Sequence, residues 1–308
     1  MKISILGAIG SVGAPVAFNI AVSGLADELL MIDVKSQNLL EHHALDIQTA
    51  ASLNNVTVMS GNYEDLPGSD VVINVAGAHL SLNLDRRKRL GKQTRFVRDI
   101  VLKINTYCPD AIIVTAVNPV DALNYATYLS GDFDRRKLIG YSINDSIRFR
   151  ETLAKELKEK VNNVDGIVIG EHGSTQVPLF SSVKVGDDSV SMTDHAKQRI
   201  RSGMFDMIRK FESLKAGRTA GWTCAVGFTA IVKAIAEEQK TVLPCSIVLN
   251  GEYGQDNISM SVPVTLGRDG VKEILEYKLT PDEQEGLRGT VETLHSDAAV
   301  VRDTLASS

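Results

Sequence analysis

Lys2-Ile3-Ser4-Ile5-Leu6-Gly7-Ala8-Ile9-Gly10-Ser11-Val12-Gly13 opens the chain, and its reading decides the fold. Residues 2–6 are mostly apolar and do not alternate cleanly, as in a buried parallel strand. Three glycines at G-x-x-G-x-x-G spacing then mark a tight turn. A helical pattern with Pro15 in its first turn follows, with Gly24 as a C-cap residue. A second strand, Leu29-Leu30-Met31-Ile32, ends in Asp33. Strand, glycine turn, helix, strand and terminal acid make up a dinucleotide-binding βαβ unit. In such a unit Gly7, Gly10, Ser11, Val12 and Gly13 let a helix N-terminus aim free N–H groups at a pyrophosphate. Asp33 accepts hydrogen bonds from a ribose diol and repels a 2′-phosphate, so NAD is expected rather than NADP; Lys35 works against that preference. A glycine triplet alone is a weak signal, and a turn that binds nothing is the bland alternative. Its place between a strand and a helix favours the nucleotide.

Further βα alternation extends the unit. Val56-Thr57-Val58, Asp70 to Ala76 and Ala111 to Thr115 read as strands, and Lys137-Leu138-Ile139-Gly140 completes a sixth. Ala76 and Gly77 fall at a strand's carboxyl end and join the cofactor-binding candidates. In Val117-Asn118-Pro119-Val120-Asp121, Asn118 reads as a helix N-cap with Pro119 at the first helical position. The same place, just past a parallel strand, puts Asn118 at the crevice where such sheets bind ligands. The stretch from Ala78 to Arg89 reads as a crevice-side loop with a basic end, either a mobile lid or a solvated helix start.

The second half lacks strict alternation. Asn144 is expected to cap a helix, with Asp145 and Arg148 on one face. A strand region is expected near residues 182–192, a long helix at 194–214, another at 220–238, and strands near 245–250, 259–266 and 271–277. Pro281 opens a last helix. The fold class is therefore α/β: a doubly wound parallel Rossmann sheet over residues 1–140, and an α+β substrate domain over 141–308.

Hydrophobic content of 44% with 23% charged residues is that of a globular protein. A net charge of −5 gives no support to nucleic acid or an anionic membrane as partner. No apolar run approaches the ~18 residues that span a bilayer, and no secretory leader is read at the N-terminus. Three cysteines, scattered in sequence, make neither a disulfide framework nor a zinc site, so no metal is expected and a reducing cytoplasm fits.

Ile167-Val168-Ile169 reads as a strand running into Gly170-Glu171-His172-Gly173. A histidine between glycines is accessible to another molecule, and its pKa suits proton transfer. For an isolated histidine, a hydrogen-bonded loop residue is the commoner reading. If the Asp145 face looks into the cleft, however, the carboxylate can orient His172 and raise its pKa, while Arg148 grips a carboxylate in a planar fork. The alternative is a surface ion pair.

The motifs together resemble the lactate/malate dehydrogenase family, nearly end to end. The marks are the Gly7–Gly13 turn, Asp33, Val117 to Asp121, Asp145-x-x-Arg148, Gly170 to Gly173, Ser261-Val262-Pro263-Val264 and Gly267-Arg268-Asp269-Gly270. The resemblance implies that His172 donates and accepts the proton with Asp145 as its partner, and that Arg148 binds the substrate carboxylate. It implies that Arg86 is the lid arginine that polarises the reacting carbonyl, and that Asn118 bonds near the reacting oxygen and the nicotinamide. Hydride would pass between C2 of a 2-hydroxy acid and NAD. The segment 36–50 would be a contact in a homodimer or homotetramer.

The chain departs from the family pattern at the lid. Leu80 stands where malate-type members carry arginine, and His79 where proline is common; Gln93 and Phe96 also differ from the usual Asn and Ile. Leucine cannot pair with malate's second carboxylate, and an unpaired buried carboxylate costs several kcal/mol. With Ala220 opposite, an apolar 2-oxo acid of the hydroxyisocaproate type leads. Malate/oxaloacetate follows, with the cation displaced to Arg87, Arg89, Arg218 or a protonated His79, and then lactate/pyruvate. A short-chain dehydrogenase would need a tyrosine four residues before a lysine, which is absent. A metal-assisted NAD-dependent glycosidase would need a clustered metal site. An NAD-binding redox sensor would have no need of His172, Asp145 and Arg148.

Overall fold

Strand runs that are apolar on both sides must be covered on both sides, and the computed structural model shows how this chain covers them. It describes residues 1–78, 86–217 and 219–307, and the side chains of all of these except Arg86 and Arg87. The first half runs β1 (Lys2–Leu6), α1 (Gly13–Val22), β2 (Glu28–Ile32), α2 (Gln37–Ala51), β3 (Thr57–Gly61), β4 (Val71–Asn74), α3 (Arg86–Tyr107), β5 (Ile112–Thr115), α4 (Val120–Ser130) and β6 (Leu138–Tyr141). These six strands are parallel in the order β3-β2-β1-β4-β5-β6, the doubly wound arrangement.

The second half runs α5 (Ile143–Leu157), β7 (Val164–Asp165), β8 (Val168–Ile169), β9 (Val177–Pro178), β10 (Lys184–Val185), β11 (Asp188–Ser189), α6 (Asp194–Met204), α7 (Asp206–Leu214), α8 (Gly221–Glu237), β12 (Leu243–Asn250), β13 (Asp256–Gly267), β14 (Gly270–Ile274) and α9 (Pro281–Ala306). Strand β12 pairs antiparallel with β6, through Cys245 opposite Tyr141 and Ser246 opposite Gly140. One nine-stranded sheet, extended by β13 and β14, therefore runs through the position where the sequence suggests a domain boundary. Apolar residues of both halves share one core, and a smaller cluster forms around Phe149, Leu153, Ile200 and Met204. The loop carrying His172 hangs from β13: Gly170 and Ser261 exchange backbone hydrogen bonds of 2.9 and 3.0 Å.

Several local expectations are corrected. Helix α4 starts at Val120, with Pro119 in extended conformation as its N-cap, so Asn118 precedes the cap and is free to face the cleft. The Asn118–Pro119 peptide is cis. Asn144 is not a cap either: α5 begins at Ile143 with Ser142 before it, and the Ser142 hydroxyl bonds to Pro244 and Ser261 rather than to the helix. The long helix at 194–214 is two helices, because at Phe205 the backbone N–H bonds to Ser202 three residues back rather than four. Residues 182–192 hold only two-residue strands around a turn at Gly186, and β14 ends at Ile274.

Candidate active site

The chain leaves β1, β4 and β5 around a cavity of about 580 Å³, at the carboxyl edge of the parallel sheet. Gly7, Gly10, Ser11, Val12 and Gly13 form one wall, with Asp33, Ala76, Gly77 and Asn118 beside them. Arg148, His172 and Ala220 line the same cavity from the second half. Leu80, His79 and Arg218 lie outside the described residues, and so does the Arg86 side chain, although Arg86 opens α3.

The glycine turn fits a pyrophosphate. A Cβ on Gly13 would stand 2.1 Å from the Gly7 carbonyl oxygen, so the turn can close this tightly only with glycine there. Helix α1 starts at the turn with no side-chain cap and no acidic residue in its first turn, which leaves its positive end open to an anion. Asp33 is buried at the end of β2; its Oδ2 accepts from Ile9 N at 3.3 Å and its Oδ1 from Lys35 N at 3.0 Å. The acid therefore also ties the glycine turn to the second strand. Helix α8 reaches the turn as well, since a Cβ on Gly221 would meet the Ser11 carbonyl oxygen at 1.9 Å.

Asp145 bridges the catalytic candidates. Its Oδ2 is 2.5 Å from His172 Nδ1, and its Oδ1 accepts from Arg148 Nη1 at 3.0 Å. Its side chain is 5% exposed, so both contacts act away from bulk water. Nδ1 is thereby committed, and Nε2 is left as the ring nitrogen for exchange with a ligand. Burial works to lower the His172 pKa, but the Asp145 carboxylate, through charge and hydrogen bond, and Asp121 outweigh it and raise it above histidine's ordinary value. Arg148 Nε is buried with no partner among the described residues. A buried guanidinium N–H in a cleft without a protein acceptor is what a carboxylate ligand would satisfy.

One buried acid behind His172 and three residues of the cavity wall were assigned no cleft role from the sequence. Asp121, at the start of α4, accepts the backbone N–H of His172 at 2.7 Å and a hydrogen bond from Ser246 Oγ at 2.5 Å. Burial pushes its carboxyl up to about 6 against the pull of those two donors. The Val117 to Asp121 motif includes this acid, but nothing in the motif points to the His172 backbone as its partner. Tyr63 borders the cavity on the Asp33 side, and Asn144 and Cys224 line it near Arg148. No periodicity marks any of these three.

Two family descriptions match the chain. The lactate/malate dehydrogenase NAD binding domain covers residues 1–140, and the lactate/malate dehydrogenase alpha/beta C-terminal domain covers 144–303. The chain belongs to the lactate/malate dehydrogenase family. It is an NAD-dependent dehydrogenase acting on the CH–OH group of 2-hydroxy acids. It is 38% identical over 297 residues to the malate dehydrogenase of Halobacterium salinarum, which covers 95% of this chain and 97% of that one. The apo malate dehydrogenase of Picrophilus torridus superposes with a TM-score of 0.92 at 28% identity, covering 99% and 98% of the two chains. The lactate dehydrogenase of Cryptosporidium parvum, complexed with lactic acid and nicotinamide adenine dinucleotide, gives 0.89 at 28% identity and 98% of both. These relatives are named for malate and lactate, and they lend no support to the expected branched-chain acid. No described helix is long and apolar enough to cross a membrane.

Proposed function

We propose that the chain interconverts an L-2-hydroxy acid with an uncharged side chain and its 2-oxo acid, with His172 as acid and base, Asp145 as its orienting partner and Arg148 as the carboxylate ligand. The observation that carries this reading is the orphaned Arg148 Nε beside the His172–Asp145 pair. NAD, when bound, takes up the hydride from C2. In oxidation, neutral His172 accepts the hydroxyl proton at Nε2, and Asp145 stabilises the imidazolium that results. In reduction, the imidazolium returns that proton to the carbonyl oxygen. Arg148 fixes C1 through its planar fork, so that C2 lies at a constant distance from the ring nitrogen. Arg86 is assigned to polarising the reacting carbonyl and Asn118 to its oxygen and the nicotinamide, both from the family pattern. In this reading residues 1–140 hold the dinucleotide, and residues 141–308 supply the proton-transfer group and the carboxylate ligand.

The uncharged side chain rests on Leu80 and Ala220. No described residue of the cavity other than Arg148, His172 and Lys35 carries a positive side chain, and Lys35 stands with Asp33 at the end of β2. A second reading, malate/oxaloacetate, is favoured by the name of the Halobacterium relative. Steady-state rates with oxaloacetate, 4-methyl-2-oxopentanoate, phenylpyruvate and pyruvate, each with NADH, separate the two. A hundredfold advantage for oxaloacetate would overturn the uncharged side chain.

We also infer a homodimer or homotetramer. Phe18 on α1, Leu39 and Leu45 on α2, and Trp222 and Val226 on α8 are exposed apolar side chains on helices that pack together. A monomer mass by sedimentation would reject it. Three free, buried thiols, Cys108, Cys224 and Cys245, are in keeping with a reducing cytoplasm.

A further inference from the structure

Asn144 has lost its first explanation. It sits in the opening turn of α5 rather than at the cap, and asparagine is a poor helix former unless its side chain is used elsewhere. It is buried, and it lines the cavity one helical turn before Arg148. Its amide has two N–H donors and an oxygen with two lone pairs. The Tyr141 hydroxyl donates to Oδ1 at 2.7 Å, and Nδ2 donates to Cys224 Sγ at 3.3 Å. Exchanging the amide's O and N would alter which neighbour donates, but one N–H would still remain over. Tyr141 and Cys224 are the amide's side-chain partners among the described residues, which leaves that N–H over, and Arg148 Nε one turn on has no partner among them. Two unmet donors, one charged, stand at one wall of the cavity that takes the acid. Leaving such groups buried and unpaired is costly, and one ligand carboxylate would serve both.

We propose that Asn144 is a second ligand of the substrate's C1 carboxylate, donating its remaining N–H while Arg148 supplies the charge. Tyr141 and Cys224 then occupy the amide's other hydrogen-bonding sites. The proposal rests on the reading of Arg148 as the carboxylate ligand. Every 2-oxo acid carries the same C1 carboxylate, whatever its side chain, so the contact must matter equally for all of them.

The experiment compares wild type with Asn144→Leu, Tyr141→Phe and Arg148→Lys, each checked for an intact fold by thermal melting. Rates are measured with oxaloacetate, 4-methyl-2-oxopentanoate and pyruvate at saturating NADH, and NADH affinity by fluorescence. Asn144→Leu is expected to lower kcat/KM by about tenfold or more, the worth of one hydrogen bond to a charged group. The factor is expected to be the same for every acid turned over, mostly in KM, with NADH affinity unchanged within about twofold. Tyr141→Phe is expected to lose less than about threefold, because it leaves the free N–H in place. An unchanged kcat/KM, a loss that differs between acids, a loss carried by NADH affinity, or an equal loss in Tyr141→Phe would each overturn the proposal. If Arg148→Lys left KM untouched, the carboxylate reading beneath it would fail instead.

Discussion

Asp121 Oδ2 accepts the backbone N–H of His172 at 2.7 Å, joining the start of α4 to the loop that carries the proposed acid and base. The other carboxylate oxygen is held by Ser246 on β12, so one buried acid ties together three segments distant in sequence. Asp121→Leu leaves both donors unmet and is expected to cost about 2–5 kcal/mol in urea unfolding. It is also expected to lower kcat more than it affects NADH affinity. Asp121→Asn keeps an acceptor for the His172 N–H but loses the charge, and its stability loss is expected to be the smaller of the two.

His172→Asn removes the proton relay and is expected to lower kcat by about 10²–10⁴-fold while NADH still binds. Near-normal turnover in this variant would take His172 out of the mechanism.

The raised pKa of His172 fixes the sign of the pH profile. Reduction needs the imidazolium, so its rate is expected to hold past the ordinary histidine pKa of ~6.5 and fall only as pH passes the raised value. Oxidation rises over the same interval. The same shift stabilises the fold fully below histidine's unfolded pKa, and that contribution is lost as pH climbs through the folded one. Because burial opposes the shift, Asp145→Asn is expected to move the break in the profile to lower pH. A break that stayed in place would show that Asp145 does not set it.

Asp33 is the residue proposed to select NAD over NADP. Asp33→Ala is expected to lower the NAD-to-NADP ratio of kcat/KM by about 10–100-fold, from loss of a charged hydrogen bond to the ribose. An unaltered ratio would mean that the ribose diol is held elsewhere.

For Leu80→Arg, an added charge-assisted hydrogen bond predicts a rise of about 10–100-fold in kcat/KM for oxaloacetate relative to 4-methyl-2-oxopentanoate. Should the ratio stay fixed, specificity is not decided at position 80.

The chain from Lys2 to Asp33 was legible because its information is local: an apolar run, glycines at fixed spacing, a helix period and a terminal acid. His172, Asp145 and Arg148 were legible as types at a spacing, and the fold brings them together. Asn144 was misread because helix caps and first-turn residues share the same amino acids, and only the hydrogen bonds of Ser142 tell them apart. The break at Phe205 interrupts a continuous helical pattern without a proline. The pairing of β12 with β6 joins residues about a hundred positions apart, which no window of sequence contains. Leu80, on which the proposed uncharged side chain rests, lies outside the described residues.

Because β12 is hydrogen-bonded to β6, the molecule has a stiff spine where a flexible waist would otherwise sit. Bending the halves apart near residue 140 would break the ladder at Tyr141–Cys245 and Gly140–Ser246 and strip Asp121 of its serine. The spacing between the glycine turn and the His172–Asp145–Arg148 group is thus set by the sheet itself rather than by a hinge.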